Sequence, residues 1–264
     1  MNQNLKGVPE TLLIPLWARA AETKSPRPII QDEKAVELTS QINYDFSKFN
    51  GSWMTQTGVA VRTEILDREV KAFINKHPDA VIINIGCGLD TRYFRVDNGR
   101  VRWYDLDLPE PIQIRKNFFQ ETQRYSMIGK SIFDYSWTED IETGGEPVLF
   151  LAEGVFMYFK EEEMADLMTH LTKSFPKAHM LFEMMPRMLV KSGGKHETVR
   201  KTTARFQWGI RSGKDMEQIN PKIRFVEEWN YFQYHRNRWK WLGGLALIPA
   251  FRNNFNNRIV HIVL

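Results

Sequence analysis

Two glycines and two aspartates, about twenty residues apart, carry the first chemical signal in this sequence. Gly86 and Gly88 directly follow the apolar, β-branched run Val81–Ile85, and a glycine backbone there can adopt positive φ angles and approach a ligand closely. Asp105 and Asp107 end the next apolar run, where a carboxylate can accept hydrogen bonds from both hydroxyls of a ribose. Together these residues predict a nucleoside-binding half-site.

The residues after Gly88 indicate which nucleoside-containing ligand fits this turn. A dinucleotide site has a third glycine, which permits close helix-to-strand packing where the pyrophosphate meets the helix N-terminus. Here the segment Leu89-Asp90-Thr91-Arg92 takes that place, so the pattern favours S-adenosylmethionine, which has an amino-acid end and no phosphate. We interpret Asp90, Thr91 and Arg92 as helix-start and packing residues, with Asp90 able to cap exposed backbone donors.

Arg62 is the candidate partner for the carboxylate of that amino-acid end. It lies in the segment Gly58–Thr63, on a helix predicted before the first strand. A guanidinium matches a carboxylate geometrically, because it can donate two parallel hydrogen bonds. The alternative is that Arg62 is an exposed surface residue, as most charged helix residues are.

Whether such a site needs a general base depends on the methyl acceptor. Methyl transfer from a sulfonium is an in-line displacement, so the chain must hold an oxygen nucleophile opposite the sulfur. An ionised carboxylate acceptor needs no base, whereas a phenol, with a pKa of about 10, would benefit from one. Glu183, Tyr158 and His196 are candidate bases, although residues in such places are more often structural or exposed. No catalytic residue is therefore assigned.

The methionines of the segment Phe182–Met188 have two interpretations. Met184, Met185 and Met188 pack a core in the ordinary case, but they could also form an apolar wall for a planar or aliphatic acceptor. Phe206 and Trp208 could line a covering segment in the same way.

The single cysteine, the first residues and the apolar runs indicate the cellular environment in which the protein is expected. Cys87 is the only cysteine, which excludes an intrachain disulfide and a metal site built mainly from thiolates, so no metal is predicted. The first residues lack the layout of a signal peptide, and no apolar run approaches the roughly 20 residues that cross a bilayer. We expect a cytoplasmic protein with no membrane partner.

The net charge is mild and argues against a nucleic-acid partner. There are 36 Lys and Arg against 32 Asp and Glu, a formal charge of +4. The segment Tyr234–Trp241 alternates basic and aromatic residues and could stack bases and hold phosphates. A solvated face is the favoured interpretation, because nucleic-acid binders concentrate several such clusters on one surface.

Apolar periodicity predicts an α/β fold with a helical preface. Residues 1–78 have helical spacing in three stretches, which are Glu10–Ala21, Asp32–Ile42 and Val59–Asn75. Strands buried on both faces are then predicted at Val81–Ile85, Val101–Leu106, Pro147–Ala152 and His179–Glu183. Such runs, separated by helices, indicate a mostly parallel sheet.

The C-terminal part predicts an antiparallel ending to that sheet. Strands are expected at Ala246–Pro249 and Arg258–Leu264, separated by the turn-rich segment Arg252–Asn257. Residues 184–220 show no strand signal and are interpreted as an insertion. We expect one domain with four parts, namely a helical segment (1–78), a cofactor-binding half (79–183), a cap insertion (184–220) and C-terminal strands (221–264).

Five linked motifs carry a resemblance to a known family. They are VAVRTEI, NIGCGLDTRYFR, WYDLDLPE, KSIFDYSW and LAEGVFMYF, and they occur in the family's order. The sequence resembles the leucine carboxyl methyltransferase family, and more closely its bacterial branch of polyketide-type O-methyltransferases. The resemblance implies the Rossmann-like fold of class I S-adenosylmethionine-dependent methyltransferases, with a seven-stranded sheet, an antiparallel last strand, a helical N-terminal extension and a helical cap.

The resemblance also implies roles for individual residues. Arg62 would hold the methionine carboxylate, and the turn of Gly86, Cys87 and Gly88 would contact the amino-acid end. Asp107, with Leu108 beside it, would hold the ribose hydroxyls. Asp105 is the weaker candidate, because the family's acid stands immediately before the apolar-Pro pair seen here as Leu108-Pro109.

Two further contacts follow from the same resemblance. Glu153 would lie near the ligand ammonium. Some members of the family have an Asp near adenine where this chain has Ser131, so Ser131, the Ile132 backbone and Asp134 share that contact.

The function implied is O-methylation of a small polyketide-like metabolite, at a hydroxyl or a carboxylate, with S-adenosylhomocysteine as the second product. Methylation of a protein's C-terminal leucine carboxylate is the alternative within the family. A nicotinamide-dependent oxidoreductase and a non-catalytic cofactor-binding protein are the alternatives outside it.

Overall fold

The computed structural model describes residues 10–191 and 206–264, and a seven-stranded sheet forms its centre. The strands are β1 (Val81–Ile85), β2 (Arg102–Asp107), β3 (Tyr125–Gly129), β4 (Val148–Ala152), β5 (His179–Met184), β6 (Arg224–Asn230) and β7 (Arg258–Val263). Their order across the sheet is β3-β2-β1-β4-β5-β7-β6. The paired strands among β1 to β5 are parallel, whereas β7 runs antiparallel to both β5 and β6. The mostly parallel α/β sheet with an antiparallel last strand, predicted from the sequence, is confirmed.

Helices precede the sheet and connect its strands. In chain order they are α1 (Glu10–Thr23), α2 (Glu33–Gln41), α3 (Trp53–Lys76), α4 (Arg92–Val96), α5 (Pro109–Arg115), α6 (Glu161–Ser174), α7 (Arg187–Lys191), α8 (Met216–Ile219), α9 (Trp241–Leu245) and α10 (Pro249–Asn254). The N-terminal helices α1, α2 and α3 pack on one another, as expected of a helical extension. Within the described residues, no helix is both long and apolar enough to cross a bilayer.

The apolar runs of the sequence become strands that are buried on both faces. All residues of β1 and β4 are buried. Alternate residues of β1 then face different cores, with Ile82 packing in the cluster under α1 to α3 and Ile83 in the cluster on the opposite face. Both faces need apolar side chains, which is why the run is continuous rather than alternating.

The sequence predicted one false strand and missed two real ones. The predicted strand Ala246–Pro249 is wrong, because Ala246 caps the end of α9 and Pro249 begins α10. The strand next to β7 is instead β6, which is polar and largely solvent-accessible because it lies at the edge of the sheet. Strand β3 was not predicted at all, and it too is an edge strand. The exposure of β6 explains its weak apolar signal, whereas β3 buries Tyr125, Met127 and Ile128 and was missed because its apolar residues are interrupted by Ser126 and Gly129.

The predicted cap insertion is described only in part. Its described portions, 184–191 and 206–220, contain the short helices α7 and α8. The chain after residue 205 returns to the sheet, where the backbone N–H groups of Gln207 and Trp208 donate to the Met157 carbonyl at 2.8 and 3.2 Å. The central part of the insertion, with the candidate base His196, lies outside the described residues.

Candidate functional site

A cavity of about 710 Å³ opens at the carboxyl ends of the parallel strands. Residues at or just after five of these ends line it, namely Ile85, Asp107, Ser131, Glu153 and Glu183. Helices α1 and α3 and the segment that follows α10 contribute further walls. Ligands of open parallel sheets bind at this edge, so the position of the cavity agrees with the site expected from the sequence.

The glycine turn forms the floor of the cavity and cannot accept side chains. Gly86 and Gly88 have φ angles of +62° and +45°, in the left-handed region that glycine adopts most readily. A Cβ on Gly86 would lie 2.2 Å from a Val155 methyl carbon, and one on Gly88 would lie 2.9 Å from a Leu12 methyl carbon. Both glycines are therefore required by conformation and by space together.

Asp107 and Asp105 have separate surroundings although they are two residues apart. Asp107 lines the cavity, and its carboxylate accepts hydrogen bonds from the backbone N–H groups of Gly88 and Leu108, at 2.8 and 2.7 Å. Burial raises the pKa of Asp107 although these two hydrogen bonds oppose the shift. This geometry ties the acid of β2 to the glycine turn after β1.

Asp105 is fully buried and lies outside the cavity lining. Its carboxylate accepts hydrogen bonds from four side chains, which are Asn84, Trp103, Arg115 and Tyr125. An acid that is saturated in this way is a structural residue. Of the two acids, only Asp107 lines the cavity, and its role as the ribose partner stays a prediction.

Arg62 is a cavity residue rather than a surface residue. Its guanidinium lies between two carboxylates, with Nη2 at 2.6 Å from Glu153 Oε1 and Nη1 at 2.7 Å from Glu183 Oε2. All three residues line the cavity. Arg62 Nε is buried and has no hydrogen-bond partner among the described residues.

Glu153 is held ionised at the end of β4. Burial opposes its charged form, but the attraction of Arg62 and Arg92 outweighs burial and lowers the pKa of Glu153. Arg92 Nη2 lies 2.6 Å from Glu153 Oε2, and the Arg92 side chain is fully buried. The cavity thus offers one guanidinium and two carboxylates at a single place, which suits a zwitterionic amino-acid group.

The segment after the glycine turn contributes more than packing. Asp90 accepts from the Arg92 backbone N–H at 3.0 Å, which agrees with its interpretation as a cap. Asp90 also lines the cavity, and its carboxylate pairs with the Arg92 guanidinium at 2.6 Å. The sequence did not predict this series of ion pairs, which connects Asp90 through Arg92 to Glu153. The adjacent opposite charges of Asp90 and Arg92 were the available signal.

Four of the remaining predicted cofactor contacts line the cavity, and the fifth, Asp134, does not. Cys87, Leu108, Ser131 and Ile132 all line the cavity. Asp134 does not, because its side chain is exposed and caps a short 3-10 helix by accepting from the Ser136 backbone N–H at 3.3 Å. Its inclusion among the candidate adenine contacts is corrected on this geometry.

Cys87 is a small buried residue between the two glycines. Burial raises the pKa of the Cys87 thiol well above its ordinary value, so the reactive thiolate form is disfavoured. No group of His, Cys, Asp and Glu suited to a metal ion occurs in residues 10–191 or 206–264.

The candidate general bases are engaged or unsuited to proton abstraction. Glu183 accepts from Arg62, from the Tyr231 hydroxyl at 3.0 Å and from Asn257 Nδ2 at 2.8 Å. Tyr158 lines the cavity, and burial raises the pKa of its hydroxyl. The Glu183 carboxylate is thus occupied by three donors, and the raised pKa keeps the Tyr158 hydroxyl protonated at neutral pH.

The other end of the cavity is apolar and aromatic. Met185 and Phe206 line it, whereas Met184 and Trp208 pack in the core and Met188 is 47% exposed. Met185 and Phe206 therefore belong to the cavity wall, as one interpretation predicts, whereas Met184 and Trp208 pack in the core, as the other predicts. Other apolar lining residues were missed in the sequence because they come from distant segments, and they are Met54, Phe232, Trp239, Leu242 and Phe255. The polar residues Asn256 and Asn257, which also line the cavity, were missed for the same reason.

The basic, aromatic segment Tyr234–Trp241 is occupied by intramolecular contacts. Arg238 pairs with Glu22 at 2.6 Å, and His235 lies 2.8 Å from Glu64. The Trp239 ring is buried and lines the cavity. Several residues of the segment thus make intramolecular contacts, and the absence of a nucleic-acid partner stays a prediction.

Comparisons with known proteins identify the family of this chain. A family model described as leucine carboxyl methyltransferase matches residues 13–172. The tetracenomycin polyketide synthesis O-methyltransferase TcmP of Streptomyces glaucescens is 33% identical over 255 residues, which is 94% of each chain. The S-adenosyl-L-methionine-dependent methyltransferase dpfgK of Gibberella zeae is 28% identical over 281 residues, covering 97% of this chain and 93% of that protein.

Solved structures show the same fold at low sequence identity. A putative methyltransferase from Thermobifida fusca superposes with a TM-score of 0.57 at 10% identity, covering 93% of both chains. Magnesium protoporphyrin IX methyltransferase from Synechocystis with bound SAH superposes with a TM-score of 0.50 at 12% identity, covering 88% of this chain and 93% of that one. The predicted class I methyltransferase fold is confirmed by these neighbours.

Proposed function

Because this chain belongs to the leucine carboxyl methyltransferase family, we propose that it methylates a carboxylate on a small, planar molecule. It is an S-adenosylmethionine-dependent methyltransferase. The finer proposal concerns the acceptor, and its main support is the state of the acidic side chains around the cavity.

The residues of the cavity fit the cofactor. Arg62 Nε is a buried donor with no partner among the described residues, and it lies in the one part of the cavity where Glu153 and Glu183 also converge. The floor at Gly86 leaves no room for a Cβ. When bound, S-adenosylmethionine supplies an electrophilic methyl group on its sulfonium.

Each end of the site has a separate task in holding that cofactor. We assign Arg62 to the methionine carboxylate and Glu153 to the ammonium, because a carboxylate needs a cation and an ammonium needs acceptors. Asp107 is assigned to the ribose hydroxyls, since its carboxylate is fixed beside the glycine turn by two backbone N–H groups. The reacting centre would then lie between these two ends.

The observation that carries the proposal is that the acids around the cavity are already bonded. Asp90 pairs with Arg92, Asp107 accepts from two backbone N–H groups, and Glu153 and Glu183 both pair with Arg62. No histidine lines the cavity within the described part of the chain. A phenol or alcohol would need one of these groups to take its proton, whereas a carboxylate is ionised at neutral pH and needs none.

The shape of the apolar end supports a planar small molecule. Phe206 and Tyr158 contact each other with tilted rings at a centroid distance of 5.4 Å, and both line the cavity. Trp239 and Phe232 line another side with rings 5.0 Å apart. A wall of this composition buries aromatic surface effectively, because aromatic pairs add specific ring contacts to the hydrophobic effect. The polyketide named for the relative TcmP is consistent with such an acceptor.

The proposal is tested with matched acceptors and labelled cofactor. The purified protein is incubated with methyl-labelled S-adenosylmethionine and either 2-naphthoate, 2-naphthol or a peptide ending in leucine. We expect label in the 2-naphthoate product, as an ester that mild alkali hydrolyses. A methyl ether on 2-naphthol, which resists alkali, would overturn the carboxylate assignment, and labelling of the peptide alone would favour protein methylation.

A further inference from the structure

The segment Phe255–Asn257, which the sequence identifies only as a turn, forms part of the cavity wall. It joins the end of α10 to β7. Asn256 Oδ1 accepts from the Asn257 backbone N–H at 2.9 Å, and Asn257 Nδ2 donates to Glu183 Oε1 at 2.8 Å. These two hydrogen bonds attach the segment to the carboxyl end of β5, beside Arg62.

The first of these hydrogen bonds fixes the orientation of the Asn256 amide. Its oxygen already accepts from the Asn257 backbone, so exchanging oxygen and nitrogen would lose that bond. The Nδ2 atom is left buried with no hydrogen-bond partner among the described residues. A buried donor without a partner is destabilising. Because Asn256 lines the cavity, a ligand there that reaches Nδ2 would supply the missing partner.

The surroundings of this donor are aromatic. Phe255 lines the cavity with 47% of its surface exposed, and its ring stacks on Phe251 at a centroid distance of 4.9 Å. Phe251 stacks in turn on Phe232 at 5.7 Å, and Phe232 lines the cavity as well. The wall therefore runs from the solvent edge into the interior, and Asn256 adds a polar donor to it.

We propose that Asn256 positions the methyl acceptor, with Nδ2 donating a hydrogen bond to an oxygen of its carboxylate while the aromatic wall holds its ring. This inference rests on the proposed function, because it takes the acceptor to be a planar carboxylate. The link from Asn256 through Asn257 to Glu183 and Arg62 places the donor next to the amino-acid end of the cofactor site.

Asn256→Asp is the sharpest variant for a test. It keeps a side-chain oxygen that accepts from the Asn257 backbone, and it replaces the free donor by a negatively charged acceptor of nearly the same shape. Asn256→Ala removes the donor without adding charge. Asn253→Asp is the matched control, because Asn253 is an exposed residue of the preceding helix that does not line the cavity.

Binding is measured on protein saturated with S-adenosylhomocysteine, using 2-naphthoate and its uncharged methyl ester as probes. We expect Asn256→Asp to weaken 2-naphthoate by about tenfold or more and the ester by about twofold at most, since a hydrogen bond to a charged group is replaced by repulsion. Asn256→Ala should show a smaller loss for 2-naphthoate. Asn253→Asp should match the original chain, and affinity for S-adenosylhomocysteine should be unchanged in every variant.

Several results would overturn the role of Asn256. They are equal 2-naphthoate affinity in Asn256→Asp and the original chain, equal losses for the acid and the ester, or no binding of 2-naphthoate to the original chain. Transfer of methyl to 2-naphthol instead of 2-naphthoate would overturn the proposed function alone, because the binding comparison still decides Asn256. Failure to bind S-adenosylhomocysteine would mark a variant as misfolded, and Asn256→Ala then provides the second test.

Discussion

Glu183 Oε2 lies 2.7 Å from Arg62 Nη1, so two residues that are 121 positions apart meet at the centre of the cavity. The contact joins α3, which precedes the sheet, to the end of β5. Glu183 also accepts from Tyr231 and Asn257, which come from the C-terminal part of the chain. One carboxylate thus holds Arg62, Tyr231 and Asn257 in a fixed relation at the end of β5.

Arg62→Ala is expected to abolish most cofactor affinity. Removing one partner of a buried, hydrogen-bonded charge pair costs about 2–5 kcal/mol, so affinity for S-adenosylhomocysteine should fall about 30-fold or more by calorimetry. Stability should also fall, because Glu153 and Glu183 lose their cation. Arg68→Ala on the same helix is the control, since that side chain is 44% exposed and pairs with a surface glutamate. Unchanged affinity in Arg62→Ala would remove Arg62 from the site.

Gly86→Ala should be far more disruptive than Gly99→Ala. Both glycines have positive φ angles, of +62° and +78°, so both substitutions incur about 1–2 kcal/mol of backbone strain. Only Gly86 lacks space, because its Cβ would lie 2.2 Å from Val155, whereas a Cβ on Gly99 would meet nothing within 4 Å. Urea unfolding should show a larger loss of stability for Gly86→Ala, with partial recovery in the double variant with Val155→Ala. Equal losses at the two glycines would contradict the steric argument.

Asp107→Asn and Asp105→Asn should separate binding from stability. Asp107 lines the cavity, so its substitution should weaken S-adenosylhomocysteine about tenfold while the melting temperature changes little. Asp105 is fully buried between four donors that include Arg115, and its substitution should lower the free energy of unfolding by about 3 kcal/mol. Calorimetry and thermal unfolding of both variants check this. The reverse pattern would assign the ribose to Asp105.

Stability is expected to fall as the pH drops below about 6.5 because of a histidine pair. His179 Nδ1 and His261 Nε2 are 2.8 Å apart on neighbouring strands. Burial, the charge of His179 and Arg224 lower the pKa of His261 to about 4. Burial also lowers the pKa of His179, and the nearby charges of His77, Lys76 and Arg224 act in the same direction.

The direction of this pH effect on stability follows from the number of protons that the folded and the unfolded chain bind. With folded pKa values below the unfolded value, the unfolded chain binds more protons, so the contribution is complete above about pH 6.5 and is lost as the pH falls through about 4. Urea unfolding at pH 7.5 and pH 5 should show about 1 kcal/mol more loss in the original chain than in His261→Gln, a figure reduced for partial exposure. Equal losses in the two proteins would contradict this.

The parts of the fold that sequence could predict are those with two buried faces. Val81–Ile85 and Val148–Ala152 are continuous apolar runs because helices cover both sides of the sheet, and their positions were correct. Strand β6 was missed because it lies at the edge, with Glu227 and Glu228 in its middle. The apolar segment Ala246–Pro249 gave a false strand because it joins two short helices instead.

In the candidate site, too, residues at neighbouring strand ends could be predicted to lie together, whereas contacts between distant segments could not. The residues of the glycine turn and Asp107 are local to strand ends, so spacing alone brought them together in the sequence. The pairing of Arg62 with Glu183, and the approach of Asn256 to the same place, depend on tertiary contacts between distant segments that spacing cannot reveal. The sequence named Arg62 through a family motif and Glu183 only as a possible base, while Asn256 appeared as part of a turn.

The contact between Leu12 of α1 and the glycine turn restricts how these sequences can change. A Cβ on Gly88 would lie 2.9 Å from the Leu12 Cδ2 atom, and Leu12 itself lines the cavity. A larger residue at position 88 would strain the backbone at this positive φ angle and would require the Leu12 side chain to shift, and a smaller residue at position 12 would remove the second of these costs. Loss of α1 would leave the turn uncovered. The N-terminal helix and the cofactor turn are therefore expected to evolve as a pair, with substitutions at one position conditional on the residue at the other.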